Sequence, residues 1–230
     1  INSIFERNFA ATGGALAIIP VSFGTFSINA NNARERDLAT DEEPRQKVTI
    51  TDSLFNLNEA KINRGSSGRN DGGAIFLYEV TATARGCTFT DQSSDRYGGG
   101  LFAELSYISI FNSNFTNNQI GGRQSGGGGA MACLSSDFEI RNVEVTNNYV
   151  NERSNGGGGW FTFCKPKIYE SLWEMNYAIG GRGGGIYFGT MSNPIFIGQT
   201  ENLVKIFKNK ASTGGGVSCS QCVGFQMKKT

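Results

Sequence analysis

The chain returns repeatedly to one order of residues: a glycine pair, a short apolar run, a second short run, then an aromatic residue with asparagine three positions later. The runs "GGALAI", "GGAIFL", "GGGLFA", "GGAMAC", "GGWFTF", "GGIYFG" and "GGVSCS" open successive units. The second glycine of the pair before each apolar run falls at Gly14, Gly73, Gly100, Gly129, Gly159, Gly185 and Gly216, giving intervals of 59, 27, 29, 30, 26 and 31. The first interval reads as two periods, with the missing start near Lys47 in "KVTITDSLF". The unit is thus just under thirty residues and recurs about eight times, the last copy truncated.

Each unit closes on an aromatic or β-branched residue with Asn three positions on: Phe5/Asn8, Phe26/Asn29, Phe55/Asn58, Phe115/Asn118, Val145/Asn148 and Trp173/Asn176. Phe89/Gln92 is a near match, and Phe207 departs further, being followed by Asn209. The apolar runs are short, rich in β-branched and aromatic residues, and carry no helical period. Strands of this size cannot bury themselves and become stable only when stacked on copies of themselves. The expected fold is all-β, a single parallel β-helix over residues 1–230. Eight coils at ~4.8 Å each would make a stack of roughly 35 to 40 Å. The aromatics Phe5, Phe26, Phe55, Phe89, Phe115, Val145, Trp173 and Phe207 are expected to stack inside it. The glycines are expected at corners with positive φ and close backbone approach, and the asparagines at the next corner, laddered with their neighbours. An antiparallel sandwich with glycine-rich hairpins explains the fixed order of motifs less well, because hairpin strands alternate in direction.

Composition agrees with a folded repeat. Glycine is high at 32 residues but has no G-x-y period, proline stands at only 4, and 17 phenylalanines supply a core. Lys+Arg at 21 against Asp+Glu at 20 gives no bulk charge that would point to nucleic acid or a membrane surface. No apolar run approaches the ~18 residues of a membrane-spanning helix. The chain opens on "INSIFERNFA", without Met or signal-peptide regions, so it reads as a mature chain or a segment of a longer one.

The two motifs resemble the repeats of the chlamydial polymorphic outer-membrane proteins, which pair GGA[ILV] with FxxN. Here "GGALAI", "GGAIFL", "FERN" and "FNLN" match fully, while "GGGLFA", "GGWFTF" and "VTNN" are looser. Similar pectin-lyase-like repeats occur in large microbial surface proteins. The resemblance covers almost the whole chain. It implies a right-handed β-helix on a secreted or surface-exposed protein with an adhesive or structural duty.

Histidine is absent, which excludes Ser-His and Cys-His nucleophilic dyads and any metal site that uses His. Asp52, Asp91 and Asp137 lie at different places within their units and are not expected to converge on a cation. No catalytic residue, cofactor or metal ligand is therefore assigned. Five cysteines leave at least one unpaired within the chain. Cys219 and Cys222 form a lone C-x-x-C and are a candidate disulfide, with each other or with another cysteine. Cys133 and Cys164 could bridge adjacent coils if a bulge corrects a one-residue offset, or else stay as buried thiols. Asn114-Phe115-Thr116 is the one sequon, and strand alternation sends Asn114 outward as a candidate glycosylation acceptor.

An arginine precedes the glycines in five consecutive units: Arg69, Arg96, Arg123, Arg153 and Arg182. In-register coils would align them as a basic edge suited to a linear polyanion. Asp71, Asp95 and Glu152 sit beside three of them, so local ion pairs on a solvated edge are the plainer reading. Residues 31–47 and 188–205 read as loop insertions, the first highly charged and the second more apolar.

The expected function is non-enzymatic: an extracellular or cell-surface β-helix rod, structural or adhesive, with protein partners or further copies meeting it through the helix ends. A filament is the corollary of end-to-end assembly. The competing expectation is a carbohydrate-binding or carbohydrate-cleaving β-helix, akin to polysaccharide lyases, with a glycan as its partner.

Overall fold

The computed structural model describes residues 3–19, 46–61, 70–122, 126–151, 154–198 and 202–229. Among these residues every regular element is a β-strand, and every strand pairing is parallel. The strands form a twelve-stranded sheet and two seven-stranded sheets, each built from successive passes of the chain. The protein is a parallel β-solenoid.

The sheet that follows the glycines counts the turns. Its rows are Leu16–Ile18, Ile75–Tyr78, Leu101–Glu104, Met131–Leu134, Gly159–Thr162, Ile186–Phe188 and Val217–Cys219. Seven rows make about six turns, not eight. The difference has a definite cause. Leu16 pairs directly with Ile75, and Phe5 with Phe55, so the interval of 59 residues is one long coil rather than two. The expected extra start near Lys47 is instead the strand Gln46–Thr51, which continues that coil beside Val80–Arg85. Phe26, Asn29 and most of the expected 31–47 insertion lie outside the described residues. The second expected insertion, 188–205, contains a regular row of the large sheet: Ile195–Gly198 lies between Lys165–Tyr169 and Gln226–Lys229, with Phe196 in the core.

Inside, equivalent residues stack. Phe5, Phe55, Phe89 and Phe115 form a column of near-parallel rings with centroids 4.8, 4.8 and 4.4 Å apart. The column continues through Val145 and Trp173 to Ile206. Phe207, expected in this stack, is one residue out of register: it pairs beside Glu174 and is 40% exposed. Trp173 is the largest buried side chain. Room for it comes from Gly159, which occupies the inward strand position held by Ile75, Leu101, Met131 and Ile186 in other rows. A Cβ at Gly159 would lie 2.9 Å from the Trp173 ring. Gly159 is therefore a volume compensation and not a corner.

The two properties expected of one glycine are divided between two. The left-handed residue is Gly13, Gly72, Gly98, Gly128, Gly156, Gly183 or Gly214. The next glycine makes the close approach: a Cβ on Gly129 would run into the carbonyl of Gly157, and one on Gly73 into that of Gly99. Gly14, Gly73 and Gly129 hold this second position, whereas Gly100, Gly185 and Gly216 sit one residue later, where other rows carry Ala15, Ala74 and Ala130.

Three further bends per coil use left-handed residues of any type. One column is Leu105, Ser135, Phe163 and Met191; another is Asp52, Gly86, Asn112, Asn142 and Glu170; the third is Leu57, Asp91, Asn117, Asn147, Met175 and Lys208. The conserved spacing of the asparagines follows from the third column. The bend is made by the residue before each Asn, and Asn58, Asn118, Asn148 and Asn176 are themselves fully buried. Each side chain accepts from the backbone N–H of its counterpart one coil earlier. Asn8 donates to Asn58, Asn58 to Gln92, Gln92 to Asn118, Asn118 to Asn148, Asn148 to Asn176 and Asn176 to Asn209, at 2.8–3.0 Å. Serines repeat the device at the other bends: Val80 and Ser106 N–H donate to Ser106 and Ser136 Oγ, and Cys87 and Val143 N–H to Ser113 and Ser171 Oγ.

The glycine column can be tested by contrast. Gly129→Ala forces a Cβ against backbone and is expected to destabilise by about 3 kcal/mol. Gly121→Ala, which meets nothing within 4 Å, is expected to stay within about 0.5 kcal/mol of the parent. Urea unfolding midpoints measure both.

Candidate functional site

Outward positions of the glycine-side sheet alternate with the core positions just described. The outward column runs Phe76, Phe102, Ala132, Trp160, Tyr187 and Ser218. Phe76 and Phe102 are covered at 2% and 1% exposure, while Trp160 and Tyr187 are half-buried. Tyr97 joins them from the neighbouring bend, where it bridges Asp71 and Gly127. Its ring lies 5.4 Å from Phe102 and 4.8 Å from Trp160. It spans the intervening coil because that coil presents only Gly127 and Ala132 there; a Cβ on Gly127 would strike Trp160.

Tyr97 is held from behind. Asp71, fully buried, takes two hydrogen bonds from Arg96, Nε to Oδ1 at 3.0 Å and Nη2 to Oδ2 at 2.7 Å, and the guanidinium lies 4.8 Å from the Tyr97 ring centroid. Burial alone would draw the Arg96 pKa down, but the hydrogen bonds and charge of Asp71 carry it above the ordinary value. Burial pushes the Tyr97 phenol up, against the pull of Arg96. Both groups therefore keep their neutral-pH protonation state over a wider range.

Above Trp160 the surface opens into a shallow groove of about 220 Å³ lined by Tyr97, Gly126, Asn155, Trp160, Thr162, Tyr187, Gly189 and Thr190. Its shape depends on one extra residue. Phe161 aligns with Phe188, and the left-handed bends Phe163 and Met191 follow them, so the Met191 coil has one more residue between. Gly189 takes up that residue as a bulge, its N–H bonded to Phe161 O at 2.7 Å. A side chain on Gly189 would occupy the position of Thr162 Oγ1.

A larger depression of about 460 Å³ lies at a bend of the large sheet, among Asn112, Arg141, Asn142, Glu144, Glu170 and Lys205. Its charges are of both signs. Arg141 lies 4.1 Å from the Tyr169 ring centroid and 3.6 Å from Glu139, and Asn142 donates to Asn112 at 2.9 Å. These are contacts of a solvated edge.

Of the five arginines expected along one edge, Arg69, Arg123 and Arg153 lie outside the described residues. Arg96 and Arg182 do not share a register position. Arg182 stands in the row of Asn155, Gly127 and Tyr97, one place on from Arg96. Arg96 is committed to Asp71. Asp52 and Asp91 sit at two different bends and Asp137 begins the strand Asp137–Thr146, so the three acids do not meet. Among the described residues no group of three or more Cys, Asp or Glu is placed to hold a metal ion. Asn114 is exposed on the strand Tyr107–Thr116, between Thr88 and Glu144 of the adjoining rows.

Both candidate cysteine pairs form disulfides: Cys133–Cys164 and Cys219–Cys222. The expected one-residue offset and bulge are not the geometry. Cys133 aligns with Phe161 on a strand, and Cys164 aligns with the bend residue Ser136, so the bond joins adjacent coils diagonally from strand to bend. Cys219 and Cys222 occupy the same two kinds of position within one coil. Cys87 is a buried free thiol, and burial raises its pKa.

Sequence reasoning left Tyr97, Trp160 and Tyr187 unassigned. The signal was present: in "GGWF" and "GGIY" the aromatic falls at the outward member of an alternating pair. Compared with family models, curated proteins and solved structures, the chain matches none.

The disulfides differ in access. Cys133 and Cys164 are both at 0% exposure, whereas Cys219 is exposed. Under mild reductant in the native state, alkylation is expected at Cys219 and Cys222 only. Cys133, Cys164 and Cys87 are expected to label only after unfolding, as peptide mapping by mass spectrometry will show.

Proposed function

We propose that this β-solenoid is a non-enzymatic rod that presents binding surfaces, acting as a structural or adhesive element outside the cell or on its surface. The observation that carries this reading is where the repetition lies. Inward columns and bend ladders recur in nearly every coil, whereas outward residues differ from row to row. Repetition of that kind builds a shape-persistent scaffold on which individual faces are free to specialise. The GGA[ILV] and FxxN pattern, resembling the chlamydial polymorphic outer-membrane proteins and other pectin-lyase-like surface repeats, supports the same duty. The two disulfides favour an oxidising compartment.

The first and last rows of the large sheet, Ile4–Glu6 and Gln226–Lys229, carry the exposed apolar side chains Ile4 and Met227. An open strand row is a template for pairing. In this reading each is met by another β row of the same pitch.

The test separates scaffold from enzyme. Solution scattering is expected to fit a cylinder whose stack rises about 29 Å over six turns. Incubation with neutral and acidic polysaccharides is expected to release no reducing ends and no unsaturated uronate absorbance. Steady accumulation of either product would overturn the non-enzymatic reading.

A further inference from the structure

The aromatic groove has the chemistry of a ligand site, and its lining narrows the ligand. Three rings, Tyr97, Trp160 and Tyr187, supply apolar faces with polar edges. Asn155, Thr162 and Thr190 supply uncharged hydrogen-bonding groups. Among the described residues no Asp, Glu, Lys or Arg lines the groove. Those residues offer an anionic ligand no cation and a cationic one no carboxylate. Nor do the rings form a cage around a quaternary ammonium: Tyr97 and Trp160 pack on each other at 4.8 Å and 34°, so each covers part of the other's face.

The polar groups offer both donors and acceptors. Asn155 Oδ1 is taken by the Arg182 N–H at 2.9 Å, which aims its amide nitrogen elsewhere. Thr190 Oγ1 is bonded to Gln221 Oε1 at 2.9 Å. Thr162 Oγ1 stands over Gly189, in space that only a glycine bulge leaves open. A polyproline-type peptide presents carbonyl acceptors alone, and would leave the acceptor capacity of these groups unused. A sugar ring has a flat C–H face for an aromatic side chain and hydroxyls that both donate and accept.

We infer that the groove bounded by Tyr97, Trp160 and Tyr187 binds an uncharged saccharide chain, its rings lying against the aromatic side chains and its hydroxyls meeting Asn155 and Thr162. This deepens the adhesive reading and rests on it, naming the class of molecule to which the rod attaches. The Gly189 bulge positions the polar side of the groove, and the Asp71–Arg96 pair fixes the aromatic side.

Fluorescence titration reads the site directly, because Trp160 is half-buried in the groove while Trp173 is fully enclosed in the core. The probes are cellohexaose, maltohexaose, xylohexaose and mannohexaose, with hexagalacturonate and decaproline as the anionic and peptide alternatives. At least one neutral hexasaccharide is expected to shift the emission saturably. Trp160→Ala and Tyr187→Ala are each expected to weaken that binding about tenfold or more, by loss of an aromatic contact. Thr83→Ala, on another sheet, is expected to leave it unchanged. Far-UV spectra confirm folding, and Asn155→Ala replaces any ring variant that fails to fold. The inference is overturned if no neutral hexasaccharide binds, if binding survives the ring substitutions, or if hexagalacturonate or decaproline binds more tightly. Unchanged cylindrical scattering alongside any of these results would remove the saccharide site while leaving the rod intact.

Discussion

A coil that bends four times takes backbone groups out of the strand ladder at every bend, and those groups must be bonded again inside a dry stack. An unsatisfied buried N–H costs about 1–3 kcal/mol, and each bend recurs in every coil. The solution is the same at three of the bends. A left-handed residue makes the turn, and the residue after it points a short polar side chain inward to accept from the backbone N–H one coil earlier. Asn58, Asn118, Asn148, Asn176 and Asn209 do this at one bend, and Ser106, Ser136, Ser113 and Ser171 at the others. Asparagine does more than serine, because its Nδ2 also donates to the carbonyl of the stacked core residue, as Asn118 does to Phe89 and Asn148 to Phe115. The ladders thus fix the register in which the aromatic column stacks.

Once register is fixed, everything else is positioned by it. The close-approach glycines align because only glycine leaves room for the next coil's carbonyl. The single large intruder, Trp173, is accommodated by the loss of a side chain at Gly159 rather than by a shift of the coil. Outside, the same register sets Trp160 beside Tyr187 and lets Tyr97 reach across the small pair Gly127 and Ala132. A one-residue bulge at Gly189 then opens the groove without disturbing the bend at Met191. The functional surface is a local irregularity on a regular frame.

The frame was legible in the sequence because its defining pair is periodic and buried. Errors in reading it were errors of anchoring. Runs of two, three and four glycines blur which one turns and which one packs, so Gly100, Gly185 and Gly216 slipped by one position and Gly159 by two. At the last unit the aromatic misleads: Ile206, three residues before Asn209, holds the core place that Phe207 does not. The bends themselves were not legible. Leu57, Leu105, Phe163 and Met175 adopt left-handed backbone that their own preferences oppose by roughly 1–2 kcal/mol each, so the stack imposes it. The groove was hidden for a similar reason: an outward Trp in a short apolar run looks like core until its row is known.

The central claim is that side-chain acceptors at the bends, and not the strands alone, hold adjacent coils together. Amide hydrogen exchange in an Asn148→Ala variant tests it most directly, because Asn148 Oδ1 accepts both the backbone N–H and the side-chain Nδ2 of Asn118. The account expects the Asn118 amide to lose protection by about tenfold or more, with the Asn58 amide, bonded to Gln92, far less affected. Unaltered protection at Asn118, or an equal loss at every bend, would contradict it and return the burden of cohesion to the strand ladders.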